Sequence, residues 1–463
     1  MIPEQDIHSI FFLGIGGIGM SALARYFHHY GYAVCGYDRT ASALTKELEK
    51  EGINIIYEDD PSVLNRYFPD LKPSDTLVVR TPAVPEDSAL YRYLCRQGFD
   101  MHKRAEVLGL VTRQKKALCV AGTHGKTTTS TMLAHLMKGQ SAKGVNAFLG
   151  GISMNYGTNV LIDRESEYVV VEADEYDRSF HRLHPYISVV TAVDPDHLDI
   201  YGTPEAYREA FAHYTSLIEK ALVMKQGIEL TPRLKEGVQC YTYGVADGKT
   251  DEYPSFYADN IRVGEGSIVF DFHTPGGVIA DVRPGVPVWV NIENAVAAMA
   301  VAWLVKNEEL KEAMASFKGV QRRFNIHVNT QKTVYIDDYA HHPDEIATSI
   351  DSVRRLYPDR RLIGVFQPHL YTRTRDFADG FARVLRTLDE CILLPVYPAR
   401  EEPIPGVNSE MLADKIRARV VEKADLVSEL KKRVQESPRP VVVMTIGAGD
   451  IDRLVPEIAA GLR

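Results

Sequence analysis

Short apolar runs alternate with helix-like stretches along most of the 463-residue chain. Each run leads into a glycine-rich or polar turn and then into a helix-like stretch, which predicts α/β architecture with largely parallel sheets. Three of the runs, Ile10–Leu13, Ala117–Ala121 and Val334–Ile336, stand near the start of separate units. At roughly 100–200 residues per domain, this length predicts about three domains. We place them at residues 1–106, 107–320 and 321–463.

The first unit opens on a strand that runs into a glycine loop. The strand Ile10–Leu13 is followed by Gly-Ile-Gly-Gly-Ile-Gly at residues 14–19, and a helix is predicted over residues 20–30. A second strand, Ala33–Tyr37, ends at Asp38. A G-x-G-x-x-G pattern with an acid about 20 residues further on predicts a diphosphate at the helix terminus and a ribose at the acid. The pattern does not distinguish a nicotinamide dinucleotide from a UDP-sugar.

The second unit carries another junction of strand, loop and helix. The strand Ala117–Ala121 leads into Gly-Thr-His-Gly-Lys-Thr at residues 122–127, and the following helix is predicted to reach Met137. Glycines let the backbone wrap a phosphate, and the helix amino terminus adds its dipole. The motif predicts that Lys126 reaches the β- and γ-phosphates of a nucleotide and that the Thr127 hydroxyl ligates Mg²⁺.

Acidic residues follow two further strands of this unit. The run Glu172–Glu175 follows the strand Tyr168–Val171, and an acid at a strand end beside a phosphate loop is where a second Mg²⁺ contact is expected. His197 lies among three acids after the strand Ile187–Val193, and it is either a metal ligand or an ion-paired loop residue. Asn291 starts a predicted helix, where it is either an N-cap or a contact to an adenine edge.

Polar residues also follow three predicted strands of the third unit. Val334–Ile336 leads into Asp-Asp-Tyr-Ala-His-His-Pro at 337–343, and Leu362–Phe366 leads into Gln-Pro-His at 367–369. Val441–Ile446 leads into a Gly-Ala-Gly-Asp turn. Because open α/β sheets bind ligands at the carboxyl ends of their strands, we expect a ligand site here.

The composition argues against several classes of protein. The formal net charge of −9 disfavours nucleic-acid binding, which normally uses a basic face. Five scattered cysteines without a C-x-x-C pair disfavour a disulfide framework or a zinc site and fit the cytoplasm. The apolar runs are far shorter than the ~18 residues of a membrane helix, and the first six residues carry two acids rather than a secretory signal. We therefore expect a cytoplasmic protein without membrane insertion.

Taken together, the motifs resemble those of the Mur ligase family, in family order over nearly the whole chain. The carrying segments are Gly14–Ser21, Gly122–Thr129, Glu172–Glu175, Asp194–His197, Asn291–Ala295, Arg322–Phe324, Asp338–Pro343, Phe366–His369 and Thr372–Arg375. The resemblance implies a Rossmann-like UDP-binding domain, a P-loop ATPase domain and a Rossmann-like carboxyl-terminal domain that takes an amino acid. It also implies a monomer or a homodimer.

The resemblance implies a role for individual residues. The catalytic residues that it implies are Lys126, His124, Glu172 and His197, and His124 is implied to face the reacting sugar carboxylate. Mg²⁺ is implied to be held by Thr127, Glu172 and His197. ATP is implied to contact Gly122, Thr123, Gly125, Lys126, Thr127, Thr128, Asn291, Asn294, Arg323 and Asp338. The UDP-sugar is implied to contact Gly14, Gly16, Gly17, Gly19, Asp38, Thr81, Pro82 and Ala83. The amino acid is implied to contact Tyr339, His341, His369 and Arg373. Leu370 departs from the pattern, since many relatives carry arginine there.

The reaction that the resemblance implies is the ATP-dependent ligation of L-alanine to the carboxylate of UDP-N-acetylmuramate, through an acyl phosphate, in peptidoglycan precursor synthesis. A related ligase that adds a whole peptide usually reads Glu-Gly-Asp-Glu where this chain has Ala173, which favours the alanine reaction. Two other classes stay open. A nicotinamide-dependent oxidoreductase leaves the Lys126 loop unexplained, and a nucleotide switch without ligation leaves the polar cluster at 366–375 unexplained.

Overall fold

The computed structural model describes residues 7–139, 144–196, 198–246, 252–264, 266–305, 309–399 and 401–463. These residues form three sheets with helices packed against them. The chain divides into two compact units. The first comprises Met1–Asp259, Phe272–Ile279 and Glu293–Ser316, and the second comprises Asn260–Asp271, Ala280–Ile292 and Phe317–Arg463.

The first sheet has five parallel strands in the order β3-β2-β1-β4-β5. Its strands are β1 (Ser9–Leu13), β2 (Ala33–Tyr37), β3 (Asn54–Ile56), β4 (Thr76–Arg80) and β5 (Asp100–Lys103). The helices between and after them are α1 (Ile18–His29), α2 (Ala43–Lys50), α3 (Pro61–Tyr67), α4 (Ala89–Gln97) and α5 (Arg104–Arg113). The glycine loop joins β1 to α1, at the carboxyl edge of this sheet.

The second sheet runs in the order β15-β14-β13-β12-β11-β10-β6-β9-β7-β8. Its strands are β6 (Lys116–Ala121), β7 (Asn146–Phe148), β8 (Val160–Leu161), β9 (Tyr168–Ala173), β10 (Pro185–Val190), β11 (Ala221–Lys225), β12 (Gln239–Val245), β13 (Phe256–Gly264), β14 (Ser267–Thr274) and β15 (Gly277–Val282). The helices are α6 (Lys126–Lys138), α7 (Leu198–Tyr201), α8 (Pro204–Thr215), α9 (Val290–Leu304) and α10 (Leu310–Ala315), with a 3₁₀ segment at Tyr176–Arg182. The loop at residues 122–127, called the phosphate loop below, joins β6 to α6. Strand β6 pairs in parallel with β9 and β10.

The third sheet has six strands in the order β16-β17-β21-β18-β19-β20. They are β16 (Asn325–Asn329), β17 (Thr333–Asp338), β18 (Arg361–Phe366), β19 (Glu390–Leu393), β20 (Arg419–Val420) and β21 (Val441–Ile446), and β16 alone of these pairs antiparallel. The helices are α11 (Pro343–Leu356), α12 (Tyr371–Asp376), α13 (Ala378–Leu385), α14 (Ser409–Ile416), α15 (Leu426–Glu436) and α16 (Val455–Leu462). Short 3₁₀ segments cover Lys423–Asp425 and Asp450–Leu454.

The central strands are buried along their whole length. Every residue of β17 and of β21 is buried, as expected for parallel strands that are covered on both faces. Reactive and ligand-binding side chains are therefore expected at the polar ends of such strands, where they can reach solvent. The predicted α/β class, with three largely parallel sheets, is confirmed.

A buried polar network fixes the first turn of α1. The Asn159 amide donates to the Ile18 carbonyl at 2.6 Å and to the Ser21 hydroxyl at 3.0 Å. The buried Arg25 guanidinium donates to Asn159 Oδ1 at 2.6 Å and pairs with Glu51 at 2.7 Å. Since hydrogen bonds to charged groups contribute about 1.5–3 kcal/mol each, this network holds the glycine-loop helix in a defined position.

The helices of the described ranges are all too short or too polar for a bilayer crossing.

Candidate active site

The phosphate loop has the geometry that its glycines predict. Gly122 and Gly125 have φ values of +133° and +80°, which favour glycine. A Cβ at Gly122 would lie 2.1 Å from the Thr191 hydroxyl oxygen, so a larger residue does not fit. The loop delivers the chain to the amino terminus of α6, whose first N–H groups and dipole favour an anion.

Lys126 lies within this loop beside a buried acid. Its Nζ donates to the Gly122 carbonyl at 2.6 Å and lies 2.8 Å from Glu175 Oε2. Burial raises the pKa of the Glu175 carboxyl, and the Lys126 charge opposes this increase. With 14% of the Lys126 side chain and 3% of the Glu175 side chain exposed, the pair is well shielded from solvent screening.

Thr127 and Glu172 bring two kinds of oxygen together next to Lys126. The Thr127 hydroxyl donates to both carboxylate oxygens of Glu172, at 3.1 and 3.0 Å. A Cβ at Gly150 would lie 2.0 Å from Glu172 Oε2, so this glycine leaves room for the carboxylate. Hydroxyl and carboxylate oxygens suit a hard divalent cation such as Mg²⁺.

No group of three or more histidine, cysteine or acidic side chains in the described stretches could hold a metal ion by itself. His197, the third predicted metal residue, lies outside the described residues. Mg²⁺ is commonly bound by one or two carboxylates together with substrate phosphates, so Thr127 and Glu172 fit a nucleotide-bound ion.

The two predicted adenine residues lie on α9 in different environments. The buried Thr129 hydroxyl donates to Asn294 Oδ1 at 3.2 Å, and a Cβ at Gly125 would lie 2.9 Å from the same oxygen. Asn294 therefore packs against the phosphate loop. Asn291 is the second residue of the helix rather than its N-cap, and its amide donates to the Val286 carbonyl at 3.1 Å.

The glycine loop after β1 is closed by Asp38. The Gly16 N–H donates to Asp38 Oδ2 at 2.8 Å, and the Thr40 N–H donates to Asp38 Oδ1 at 3.1 Å. Gly14 has a φ of +85°, and a Cβ there would lie 2.3 Å from Thr81 Cγ2. The predicted ribose acid and Thr81 therefore both lie against the loop that should take the diphosphate.

A cavity of about 290 Å³ contains residues from both predicted sites of the first unit. Its wall includes Gly17, Gly19 and Thr81 from the predicted UDP-sugar set and Glu172 from the predicted metal set. Pro82 and Ala83 lie in the exposed turn after β4 and His124 is exposed, and none of the three is among the lining residues. The cavity therefore connects the amino end of α1 with the acid beside the phosphate loop.

The four residues predicted for the amino acid form one cluster in the second unit. The Tyr339 and His341 rings are 5.3 Å apart, and the His341 and His369 rings are 6.3 Å apart. Arg373 Nη1 lies 3.3 Å from His369 Nδ1. Residues from the ends of β17 and β18 and from the short helix α12 thus meet at one sheet edge, as such sheets bind ligands.

Both histidines of this cluster are held neutral near pH 7. Burial, together with the nearby Arg373 charge, lowers the pKa of His369 to about 4. Burial also lowers the pKa of His341, although the Glu345 carboxylate opposes the shift. Arg373 is therefore the charged member of the cluster, and a ligand carboxylate would find its partner there.

Two further residues of the predicted ATP set, Arg323 and Asp338, flank the same cluster. The Arg323 guanidinium lies 5.3 Å from the centre of the Tyr339 ring. Asp338 is buried and accepts a short hydrogen bond from the Ser349 hydroxyl. Burial raises the pKa of Asp338, while Ser349 and Arg323 lower it.

Four residues with functional contacts were not predicted from the sequence. Glu175 pairs with Lys126, Arg104 lines the cavity, the Tyr397 ring stacks on His369 at 5.8 Å, and Glu401 accepts the Thr372 N–H at 3.0 Å. Of these four residues, Glu175 was the easiest to identify from the sequence. It lies in the acidic run, two residues beyond the end of β9 at Ala173.

Models of three Mur ligase domains match the chain. The model described as Mur ligase family, catalytic domain, matches residues 9–116. The Mur ligase middle domain matches residues 120–302, and the Mur ligase glutamate ligase domain matches residues 322–449.

Curated relatives are similar over nearly the full length. The UDP-N-acetylmuramate–L-alanine ligase of Phocaeicola vulgatus is 54% identical over 462 residues, covering 98% of each chain. The protein of the same name from Parabacteroides distasonis is 55% identical over 458 residues, covering 98% of this chain and 97% of the other.

Two solved structures of ligases are similar to this chain over nearly its full length. The UDP-N-acetylmuramate–alanine ligase of Thermotoga maritima has a TM-score of 0.79 at 28% identity, covering 98% of each chain. A murein peptide ligase from Psychrobacter arcticus has a TM-score of 0.67 at 21% identity over the same coverage, which shows a shared fold alone.

Proposed function

Because the chain belongs to the Mur ligase family, we propose that it joins L-alanine to the carboxylate of UDP-N-acetylmuramate and converts ATP to ADP and phosphate. The observation that carries the proposal is the full-length similarity, above 50% identity, to relatives of that name. The site supports it. The first unit has two anion-binding loops and a cavity lined by Gly17, Gly19 and Glu172, and the second unit has a cluster around Arg373. Because ATP is consumed, we propose a cytoplasmic enzyme.

In the first step, an oxygen of the sugar carboxylate attacks the γ-phosphorus of ATP, and ADP leaves. An acyl phosphate results. We assign to Lys126 the stabilisation of negative charge that develops on the transferring phosphoryl group. The α6 amino terminus binds the remaining phosphates through its N–H groups. We assign a bound Mg²⁺ to Thr127 and Glu172, where the ion would neutralise phosphate charge.

In the second step, the amine of L-alanine attacks the acyl carbon, and phosphate leaves with the former carboxylate oxygen. The ammonium group of L-alanine loses one proton to become a nucleophile and a second as the amide forms, and both protons pass to solvent. We assign recognition of the alanine carboxylate to Arg373, whose planar fork matches a carboxylate with two hydrogen bonds. Tyr339, His341 and His369 complete the pocket, and their rings limit its size.

The proposed reaction is tested by phosphate release from ATP in the presence of UDP-N-acetylmuramate and a panel of amino acids. We expect release to require both co-substrates and to be fastest with L-alanine. Equal release with neither co-substrate would favour a nucleotide switch. A preference for a peptide donor over free L-alanine would favour the peptide-adding relative, and reduction of a nicotinamide cofactor would favour the oxidoreductase.

A further expectation concerns Asp38, which we assign to the ribose of the UDP-sugar. Replacing Asp38 with alanine removes a charged acceptor and frees the Gly16 N–H that it holds at 2.8 Å. The loss of a charge-assisted hydrogen bond, about 1.5–3 kcal/mol, should weaken UDP-sugar binding by roughly 10- to 100-fold. ATP affinity should not change. Calorimetry with each nucleotide alone measures both effects.

Asp60→Ala is the matched control for this variant. Asp60 is the N-cap of α3 and accepts the Ser62 N–H at 2.7 Å, so its carboxylate also holds a backbone N–H. Its removal should cost stability but leave both affinities unchanged. If Asp38→Ala weakened ATP binding and spared the UDP-sugar, the assignment of the first glycine loop would be wrong.

A further inference from the structure

Arg104 lies on the cavity wall between the first turn of α1 and the residues that follow β9. It is the first residue of α5, and it is the one cationic side chain among the described residues that line the cavity. A Cβ at Gly19 would lie 2.9 Å from Arg104 Nη1, so the guanidinium packs directly against the first turn of α1. On its other side, Arg104 Nη2 donates to Asp174 Oδ2 at 3.3 Å. The side chain thus connects the glycine-loop helix with the acidic end of β9.

The guanidinium has more donors than its partner uses. Arginine carries five N–H groups in a planar fork. In the described part of the chain, the 3.3 Å contact to Asp174 is the hydrogen bond recorded for Arg104. At 27% exposure the side chain reaches the cavity while remaining packed. Its fork is therefore held in position with donors left for a ligand.

The negative charge on the cavity wall favours a cation at this point. Glu172 and Asp174 both line the cavity, and both are carboxylates. A substrate carboxylate in this cavity lies near these like charges, which disfavour its ionised form. The Mg²⁺ assigned above to Glu172 would offset one of them, and Arg104 lies beside the other. An opposite charge within about 4–6 Å offsets that repulsion.

We propose that Arg104 binds the lactyl carboxylate of the UDP-sugar and positions it for phosphorylation, while Asp174 orients the guanidinium. This inference rests on the proposed function, because it takes the carboxylate-bearing UDP-sugar as the substrate. Backbone N–H groups at the amino end of α1 already suit the diphosphate. Arg104 is therefore assigned to the carboxylate, at the part of the cavity wall where it contacts Asp174.

Calorimetric competition with two UDP-sugars separates the carboxylate from the diphosphate. UDP-N-acetylmuramate carries the lactyl carboxylate, and UDP-N-acetylglucosamine lacks it. We expect Arg104→Ala to weaken UDP-N-acetylmuramate by at least roughly tenfold, the loss expected for a charge-assisted hydrogen bond, and to change UDP-N-acetylglucosamine by less than about twofold. Arg104→Lys should recover part of the affinity, since it keeps the charge but loses the fork.

Lys103→Ala is the matched control, since Lys103 is the preceding residue and pairs with Asp177 at 3.1 Å on the surface. It should bind both UDP-sugars as the unchanged protein does. An equal loss of both sugars in Arg104→Ala would overturn the proposal and assign Arg104 to the diphosphate or to the fold. Unchanged binding of both would also overturn it.

The unchanged protein distinguishes this inference from the proposed function. If it ligates L-alanine to UDP-N-acetylmuramate but Arg104→Ala shows no selective loss, the role of Arg104 is wrong and the reaction stands. If the unchanged protein neither binds nor uses UDP-N-acetylmuramate, the proposed function itself is wrong. In steady-state kinetics, a selective role should raise KM for UDP-N-acetylmuramate and leave KM for ATP near its original value.

Discussion

Replacing Lys126 with alanine should lower kcat by roughly 10³, the loss typical of a removed electrostatic stabiliser in phosphoryl and acyl transfer. Lys126 is the cation of the phosphate loop, and its Nζ already lies 2.6 Å from the Gly122 carbonyl, at the mouth of the anion site. The charge that it stabilises is larger in the transition state than in bound ATP. The loss should therefore fall on kcat more than on the affinity for ATP.

The Lys126 variant also removes the partner of Glu175. Burial raises the pKa of this carboxyl, and without the Lys126 charge its pKa should rise further. A double variant that adds Glu175→Gln removes the stray charge, and it should fold well and remain inactive. Steady-state kinetics and circular dichroism test both variants.

Lys116→Ala is the control for loss of a lysine–glutamate pair. Lys116 pairs with Glu167 at 2.7 Å, at the opposite end of the strand that leads into the phosphate loop. This pair is exposed and screened by solvent, so it contributes little, and its loss should leave kcat unchanged. A near-normal kcat in Lys126→Ala, with an unchanged spectrum, would contradict the role of Lys126.

Replacing Arg373 with alanine should raise KM for L-alanine by roughly 10², because a bidentate charge-assisted contact contributes about 3 kcal/mol. Burial is the largest cause that lowers the pKa of His369, and it persists when Arg373 is removed, so this histidine should not replace the lost charge. Leu370 cannot supply it either, although many relatives carry arginine at that position. KM for ATP and for the UDP-sugar should stay nearly unchanged.

Two further variants separate recognition from a structural role. Arg373→Lys keeps the charge but loses the planar fork, so it should recover little of the affinity for L-alanine. Arg375→Ala removes a neighbouring arginine on α12, whose guanidinium pairs with Asp376 at 2.7 Å and is mostly exposed. It should leave every KM unchanged. If KM for L-alanine were unchanged in Arg373→Ala, Arg373 would have only a structural role, in an ion pair or in packing.

Local sequence signals predicted the elements that surround the site. The predicted strands Ala33–Tyr37 and Val441–Ile446 have the observed bounds, because each is an apolar run that ends at a turn residue. The predicted strand Ile187–Val193 is shorter than expected and ends at Val190. Beyond it, the Thr191 hydroxyl donates to the His124 carbonyl at 2.5 Å, a contact to the phosphate loop that no local pattern predicts.

Partners distant in sequence could not be predicted in the same way. Arg104 and Asp174 are 70 positions apart, and Lys126 and Glu175 are 49 apart. Lys126 and Glu175 meet because β6 and β9 are neighbouring parallel strands whose carboxyl ends lie at one sheet edge. Arg104 and Asp174 follow strands of two different sheets, β5 and β9, and a single sequence gives neither the strand order nor the packing of one sheet beside the other. The roles of His369 and Arg373 came from family motifs, and the structure adds that they meet His341 and Tyr339 in one cluster.

The central claim is that the sugar carboxylate is activated as an acyl phosphate. It is tested most directly with UDP-N-acetylmuramate that carries ¹⁸O in both oxygens of its lactyl carboxylate. The purified enzyme is given this substrate with ATP and L-alanine, and the released phosphate is analysed by mass spectrometry. The account predicts that each phosphate carries a single ¹⁸O and that the other ¹⁸O remains in the amide product. Product formation with unlabelled phosphate would contradict it.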